Sequence, residues 1–353
     1  MYWKYLLMTK LKLLDARTVS FGNNPKVNEA LMYHKIMSFA GSPYSVDRTG
    51  LNKFDFEYDP IPEYDSQFTK TIEDLIEVRL TEIISTNKKM YVMWSGGIDS
   101  TVIVCGLLKR GVSFDILLSE ESIEENKPMY ETLVKTSNVK LHWMTSIYTS
   151  PSQIVKDGGM VVNGYPADQL FGSWKFVKNF EYGSLNDKWE NHDIRDMTPI
   201  KGSDIFGWND PADLFLNYMY ESIKGSPFEI RTVFDFMWWE VFNNGWQDRK
   251  QYHLQYLDTK DLNSVAFYDN NDFQKWTIVN HDLKLLKDTV SESCKWQLKD
   301  YIYDYTKDKD YLMNKYKQKP LMRNLSKDYS RVIRIYDTSG KFNDPESLST
   351  FLL

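Results

Sequence analysis

A Ser-Gly-Gly loop between an apolar strand and an apolar helix is the stretch of this sequence best suited to bind an anion. The run from Tyr91 to Leu108 reads YVMWSGGIDSTVIVCGLL. A helix that follows such a loop exposes unpaired backbone N–H groups and the positive end of its dipole. Gly96 and Gly97 have no Cβ atom and can therefore turn successive amides toward one anion. The run predicts a phosphate-binding loop.

Polar residues around these glycines complete the predicted nucleotide site. Ser95 and Ser100 would add hydroxyl donors, and Thr101 is expected to contact the nucleotide as well. The carboxylate of Asp99 would repel a phosphate unless a cation lay between them. Magnesium favours carboxylate and phosphate oxygens, so we expect Mg²⁺ on Asp99. The Walker sequence GxxxxGK[ST] does not occur, which excludes the P-loop NTPases.

Strands and helices alternate around this loop, and that alternation predicts an α/β fold with a parallel, doubly wound, Rossmann-like sheet. In such sheets ligands bind beyond the carboxyl ends of the strands. The apolar patterns place helices at Phe68 to Asn87, 98–110, 126–137 and after Ser150, and strands at 90–94, 113–119, 139–145 and 160–164. We expect an adenine ring to lie against the strand ends near Leu117 and Leu118.

SGGIDS resembles the SGGxDS loop of the N-type ATP pyrophosphatases, whose sheet has the adenine nucleotide alpha hydrolase-like fold. A second stretch, NGYPADQLFGS at 163–173, is similar to the SGEGADELFGG segment of the asparagine synthetase family and its lactam-forming relatives. This resemblance implies that Asn163 and Gly164 border the nucleotide. It also implies that Asp168 helps to hold magnesium pyrophosphate, so that Asp99 and Asp168 would share the metal.

The second stretch departs from the family at three positions. The family's glutamate is Tyr165 here, its next glycine is Pro166, and the acidic residue after Asp168 is Gln169. Because that glutamate serves the substrate side of the reaction in the family, its replacement is compatible with ATP binding and argues against asparagine formation. Tyr165 could serve as a hydrogen-bond donor or as a base.

Two weaker likenesses follow. AFYDNNDFQKWTIVN is similar to the family's RVPFLDxxLVEFAxxLP segment, and CKWQLKDYI at 294–302 is similar to its K-x-x-L-R segment. The likeness of CKWQLKDYI to the family's segment implies that Lys295 binds the released pyrophosphate. Lys315, Lys317 and Lys319 occupy the place of a family segment that closes on the active site. The resemblance covers roughly residues 66 to 320.

Composition narrows the class of protein. The 353 residues are 42% hydrophobic and 26% charged with a net charge of −6, which argues against a wholly basic nucleic-acid-coating protein. The apolar runs are too short to span a bilayer and the first ten residues lack a signal-peptide core, so we expect a cytoplasmic protein without a membrane partner. Cys105 and Cys294 are the only cysteines, too few for a disulfide framework or a cysteine zinc site.

Three regions are predicted: an N-terminal extension at 1–65, an ATP pyrophosphatase α/β core at 66–190, and a mainly helical C-terminal region at 191–353 that completes the active site. The aromatic-rich stretches of the last region, including IRTVFDFMWWEVFNNGW, are expected to form core rather than to stack bases. The family's glutaminase half, which begins with a catalytic cysteine, has no counterpart after Met1-Tyr2. We therefore expect ammonia to come from solution or from a separate partner.

These observations predict an enzyme of the AMP-forming C–N ligase type, with ATP and Mg²⁺ as cofactors. It would activate a carboxylate or amide oxygen and transfer the acyl group to ammonia or an amine. Three alternatives stay open: a tRNA- or nucleotide-modifying enzyme of the same group, a nucleotide-binding homologue with altered catalysis, and an ammonia-dependent asparagine synthetase. Residues 307–334 carry nine Lys or Arg and three Asp or Glu, so a nucleic-acid partner is conceivable but not favoured.

Overall fold

A computed structural model describes residues 9–15, 19, 22–40, 45–144, 146–147, 149–172, 185–192, 211–247, 263–283, 295–315, 335–340 and 343–353. Its strands are β1 (Leu11–Leu14), β2 (Met90–Met93), β3 (Phe114–Leu118), β4 (Val139–Trp143), β5 (Met160–Asn163), β6 (Ser264–Ala266) and β7 (Ile335–Asp337). Its α-helices are α1 (Pro25–Ala40), α2 (Ile72–Ser85), α3 (Ile98–Lys109), α4 (Glu120–Glu125), α5 (Lys127–Lys135), α6 (Thr149–Lys156), α7 (Ala167–Phe171), α8 (Pro211–Ile223), α9 (Val233–Asn244), α10 (Asn271–Val279), α11 (Trp296–Thr306) and α12 (Lys309–Asn314). Short 3-10 helices span Trp189–Asn191, His281–Leu283 and Pro345–Phe351.

The predicted parallel α/β sheet is confirmed. Five parallel strands are ordered β4-β3-β2-β5-β6, with helices packed against the sheet. The chain moves outward from β2 to β3 and β4, then returns to the other side of β2 with β5. The strand order therefore reverses at β2, the point at which sheets of this kind form a crevice at their carboxyl edge. The Ser-Gly-Gly loop follows β2 directly and lies at this reversal.

One strand of the sheet was not predicted. β6 comes from the C-terminal region and pairs in parallel with β5, with Asn163 opposite Ala266. Its three residues are half-buried and carry no alternating pattern, so the sequence offers little signal for it. Because β6 ends where β5 ends, it brings the chain that follows to the same sheet edge as Asn163.

Helix α2 is shorter than its apolar pattern predicts. Thr71 and Asp74 form a reciprocal capping box, in which Thr71 Oγ1 accepts from the Asp74 amide at 3.1 Å and Asp74 Oδ2 accepts from the Thr71 amide at 2.8 Å. This cap fixes the helix start at Ile72 and leaves Phe68 in the preceding turn. At the other end the helix stops at Ser85, and Asn87 takes a left-handed conformation with φ of 53°.

Helix α4 was also not predicted. It occupies EESIEE between β3 and α5, where the sequence analysis placed only a connection. Ser119 caps it, and buried Ser122 donates its hydroxyl to the Trp94 carbonyl at 2.9 Å. This contact draws α4 toward the strand end that carries the Ser-Gly-Gly loop. The charged sequence gives no amphipathic stripe, so only the tertiary contact reveals its position.

The two ends of the described chain pack together. β1 pairs antiparallel with β7. The apolar side chains of Leu11, Phe54, Leu348 and Phe351 form a cluster apart from the main core. The chain ends in a 3-10 helix at Pro345–Phe351, with Asp344 as its cap.

The aromatic-rich region forms core. Trp238, Trp239 and Phe242 on α9 are fully buried. The indole N–H of Trp238 donates to the Leu170 carbonyl at 3.0 Å, so α9 holds α7 in place. Asp210, the predicted cap of α8, lies outside the described residues. Among the helices of the described ranges, none combines the length and the apolar character needed to cross a bilayer.

Candidate active site

The hydroxyl groups of Ser95 and Ser100 form hydrogen bonds within the Ser-Gly-Gly loop. Ser100 Oγ accepts from the Ser95 amide at 3.0 Å and lies 3.1 Å from Ser95 Oγ. Ser95 Oγ also accepts from the Gly97 amide at 3.2 Å. Gly97 is the N-cap of α3, with no side chain to satisfy the first helical amides. The end of α3 therefore keeps backbone donors available for an anion.

Position 96 accommodates only glycine, for two reasons. Its φ is 72°, in the left-handed region that disfavours side chains. A Cβ atom built on Gly96 would also lie 2.4 Å from the Ser122 carbonyl oxygen and 2.8 Å from Glu125 Cβ. Helix α4 thus presses its backbone against the loop. The close approach explains why this position has no side chain, and it makes α4 part of the wall of the site.

The structure brings three predicted site residues into direct contact. Lys295 Nζ lies 2.7 Å from both Asp99 carboxylate oxygens and 2.5 Å from Asp168 Oδ1. The lysine side chain is 8% exposed, and the two carboxylates are 24% and 33% exposed. Burial lowers the pKa of the Lys295 ammonium, but the attraction of Asp168 and Asp99 outweighs burial and raises the pKa above its ordinary value. Lys295 is therefore protonated at neutral pH.

Two long helices start at this cluster. Lys295 is the N-cap of α11, with φ of 66°, and Asp99 lies in the first turn of α3. The helices run in the same direction, because Tyr301 lies against Gly106 and Lys109 bonds Asp304 at 2.7 Å. The positive ends of both helix dipoles consequently point at one place. This arrangement favours a bound anion beyond what the Lys295 charge provides.

The turn after β5 packs directly on the start of α3. A Cβ atom on Gly164 would lie 2.9 Å from Asp99 Cβ, so a larger residue would displace Asp99. Asn163 Oδ1 accepts from the Tyr165 amide at 3.0 Å, while its buried Nδ2 has no hydrogen-bond partner among the described residues. The Tyr165 carbonyl accepts from the Tyr268 amide at 2.9 Å. Asn163, Gly164 and Tyr165 thus lie at the edge of the Asp99–Lys295–Asp168 cluster.

Tyr268 is a site neighbour that sequence reasoning missed. Its hydroxyl donates to the Asp99 carbonyl at 3.1 Å, and burial raises its pKa well above the ordinary value. It fixes the backbone of Asp99 from the side of β6. The only sequence signal was its place between Phe267 and Asp269 in AFYDNNDFQKWTIVN, one of the segments that resemble the asparagine synthetase family.

Three predicted nucleotide-contacting residues are inaccessible through their side chains. Leu117 and Leu118 are 2% and 1% exposed, and their carbonyls already accept from the Trp94 and Met144 amides. Thr101 is fully buried, and its hydroxyl donates to the Gly97 carbonyl at 2.8 Å. An adenine ring at this edge would therefore meet the surface beyond β3 rather than these side chains. Thr101 supports the loop from behind.

Lys315 lies beside the Ser-Gly-Gly loop, through an ion pair with Glu125. Its ammonium donates to the Glu125 carbonyl at 2.5 Å and to Glu125 Oε1 at 2.7 Å. Both side chains are nearly buried, at 10% and 5% exposed. Since Glu125 packs on Gly96, this ion pair connects the segment after α12 to the loop. Lys317 and Lys319 lie outside the described residues.

The donor set fits a magnesium ion in part. Asp99 and Asp168 direct three carboxylate oxygens at one point, and carboxylate oxygens are the donors that Mg²⁺ prefers. Within the described ranges, no group of three or more His, Cys, Asp or Glu side chains could hold a metal. Two carboxylates suit an ion whose other ligands are water and substrate phosphate. An all-protein cage is not needed for such an ion.

The cysteines offer no nucleophile in the described chain. Cys105 lies within α3 and is fully buried, and burial raises the pKa of its thiol. A thiolate at neutral pH is therefore disfavoured. Cys294 lies outside the described residues.

No protein-family model matches the chain, and no curated protein matches its sequence.

Proposed function

We propose that this chain is an ATP-dependent, AMP-forming ligase that activates a carboxylate or amide oxygen and passes the acyl group to ammonia or an amine. The observation that carries the proposal is the cluster of Asp99, Lys295 and Asp168 at the start of α3. It joins an ammonium and two carboxylates to a Ser-Gly-Gly loop at the reversal point of a parallel sheet. An ammonium, together with a metal ion held by carboxylates, can neutralise charge on a leaving pyrophosphate.

Each residue has a defined task in the proposal. The amides of the 95–100 loop and the first turn of α3 bind phosphate oxygens of ATP. Lys295 donates its ammonium protons to the β- and γ-phosphates. Asp99 and Asp168 hold Mg²⁺, which would supply further positive charge against the departing pyrophosphate. Asn163 and Gly164 border the nucleotide from the β5 side.

The proposed reaction has two steps. An oxygen of the substrate attacks the α-phosphorus of ATP, the bond to the β-phosphate oxygen breaks, and pyrophosphate leaves. The nitrogen of ammonia or an amine then attacks the activated carbon, AMP leaves, and the nitrogen loses a proton. Tyr165 is the candidate base for that proton, because its backbone lies between Asn163 and the helix that carries Asp168. Holding both reactants at one sheet edge provides the proximity that the second step requires.

The first experiment measures the products of ATP cleavage. The protein is incubated with ATP, Mg²⁺ and pairs of a carboxylate and an amine, with aspartate plus ammonia as one pair. AMP and pyrophosphate that appear only with a particular pair support the proposal and identify the substrates. ADP and phosphate as products would refute it.

Two other outcomes point to other functions. ATP binding without AMP production across a broad panel would indicate a nucleotide-binding homologue with altered catalysis. AMP production that depends on tRNA would indicate a nucleic-acid-modifying enzyme of the same group, and salt-dependent RNA binding would accompany it.

Asp304→Asn is the control for variants of the two site carboxylates, Asp99 and Asp168. It removes a carboxylate at the far end of α11 and should leave AMP production unchanged.

A further inference from the structure

The ammonium of Lys295 occupies the point between Asp99 and Asp168 at which a metal ion would bind. Three carboxylate oxygens lie 2.5 to 2.7 Å from Lys295 Nζ. A magnesium ion needs oxygens at about 2.0–2.1 Å from its centre, so the ammonium and the ion cannot share this position. The carboxylate oxygens of Asp99 and Asp168 can therefore contact either the Lys295 ammonium or a metal ion, but not both at one point.

Charge makes the same exclusion stronger. The nearly buried ammonium places a positive charge 2.5 to 2.7 Å from the oxygens of Asp99 and Asp168 that a cation would need. A cation that approaches these carboxylates also meets the positive ends of α3 and α11. The cluster therefore attracts a free divalent cation weakly. A metal that arrives with the negative charge of a triphosphate meets no such barrier.

We propose that Lys295 keeps the metal site closed until ATP arrives, so that Mg²⁺ enters only as its nucleotide complex. The triphosphate supplies new anionic partners for the ammonium, which exchanges the two carboxylates for phosphate oxygens. The carboxylate oxygens that contacted the ammonium then face the metal. This inference rests on the proposed function, since it requires ATP as the ligand.

The backbone around the lysine suits a movement of the side chain alone. Lys295 caps α11, and its carbonyl accepts from the Leu298 and Lys299 amides at 3.1 Å. Its left-handed φ of 66° is one that only a well-supported residue retains. Four methylene groups link this fixed backbone to the ammonium.

Binding of Mn²⁺, used as a probe for Mg²⁺, tests the order of binding. Electron paramagnetic resonance measures free Mn²⁺ with the wild-type chain alone, with a non-cleavable α,β-methylene analogue of ATP alone, and with both, because the analogue binds Mn²⁺ by itself. We expect the wild-type chain to bind Mn²⁺ tightly only with the analogue. Lys295→Met removes the positive charge beside the two carboxylates, and Mn²⁺ affinity without nucleotide should rise at least about tenfold.

The matched control is Lys109→Met, which removes a lysine paired with Asp304 at the opposite end of α3. Its Mn²⁺ binding without nucleotide should equal that of the wild-type chain. A second measurement uses thermal unfolding: Mg²⁺ alone should raise the melting temperature of Lys295→Met but not of the wild-type chain.

Each result has one meaning. Tight Mn²⁺ binding by the wild-type chain without nucleotide overturns the inference and leaves the proposed function standing. A folded Lys295→Met with no gain in Mn²⁺ affinity also overturns it. If that variant does not fold, the wild-type comparison decides alone. Failure of the wild-type chain to bind Mn²⁺ with the analogue overturns the proposed function and the inference together.

Discussion

Replacing Gly96 by alanine tests whether contact with α4 shapes the phosphate loop. Gly96 has φ of 72°, and an added Cβ atom would lie 2.4 Å from the Ser122 carbonyl oxygen. Gly111 is the matched control: its φ is 64°, and a Cβ atom there would meet nothing within 4 Å. Both substitutions bear the left-handed backbone cost, and only Gly96→Ala adds the collision.

The two costs can be separated. A side chain in the left-handed region costs roughly 1–2 kcal/mol, which both variants lose. The collision at Gly96 forces backbone to move and costs about 1–3 kcal/mol more. Gly96→Ala should thus lose roughly 2–5 kcal/mol of unfolding free energy. The unfolded-state effect of alanine is shared by both variants and cancels in the comparison.

Urea unfolding measures the difference, and calorimetric titration with ATP and Mg²⁺ measures its functional consequence. Gly96→Ala should lose ATP binding because the loop amides are displaced, while Gly111→Ala should bind like the wild-type chain. Equal losses of stability in the two variants would show that Ser122 does not constrain the loop. Unchanged ATP affinity in a folded Gly96→Ala would refute the placement of the triphosphate.

Three further predictions concern other groups. Asp99→Asn should reduce AMP production at least about a hundredfold while the chain stays folded, as measured by product release and circular dichroism; an active variant would refute the metal-binding role of Asp99. Lys315→Met should cost about 3–5 kcal/mol in urea unfolding because it leaves the nearly buried Glu125 carboxylate unpaired, and Glu125→Gln in the same chain should recover part of the loss; a strictly additive double variant would contradict the pairing. Burial lowers the pKa of His34 to about 3, below its ordinary value of 6.5, so the unfolded chain gains a proton first as the pH falls. That difference should remove about 2 kcal/mol of stability between pH 7 and pH 5 in wild type but not in His34→Leu, as urea unfolding at the two pH values measures.

The sequence alone determined the local parts of the site. Alternation of apolar segments predicted the parallel sheet, because strands buried on both faces and connecting helices leave distinct patterns. Adjacent residues also define the loop: Gly96, Gly97 and Asp99 follow a strand and begin a helix, and this order fixes where the amides point. For these features sequence neighbours are also neighbours in space.

Tertiary structure decided which distant residues meet. Lys295 and Asp99 are 196 positions apart, and only the packing of α11 alongside α3 places the ammonium on the carboxylate. The burial of Leu117 and Leu118, the position of α4 against Gly96 and the addition of β6 likewise follow from long-range packing. A single sequence carries little of this information, because many partners satisfy the same apolar pattern. The geometry between elements is set by how their side chains fill one common core.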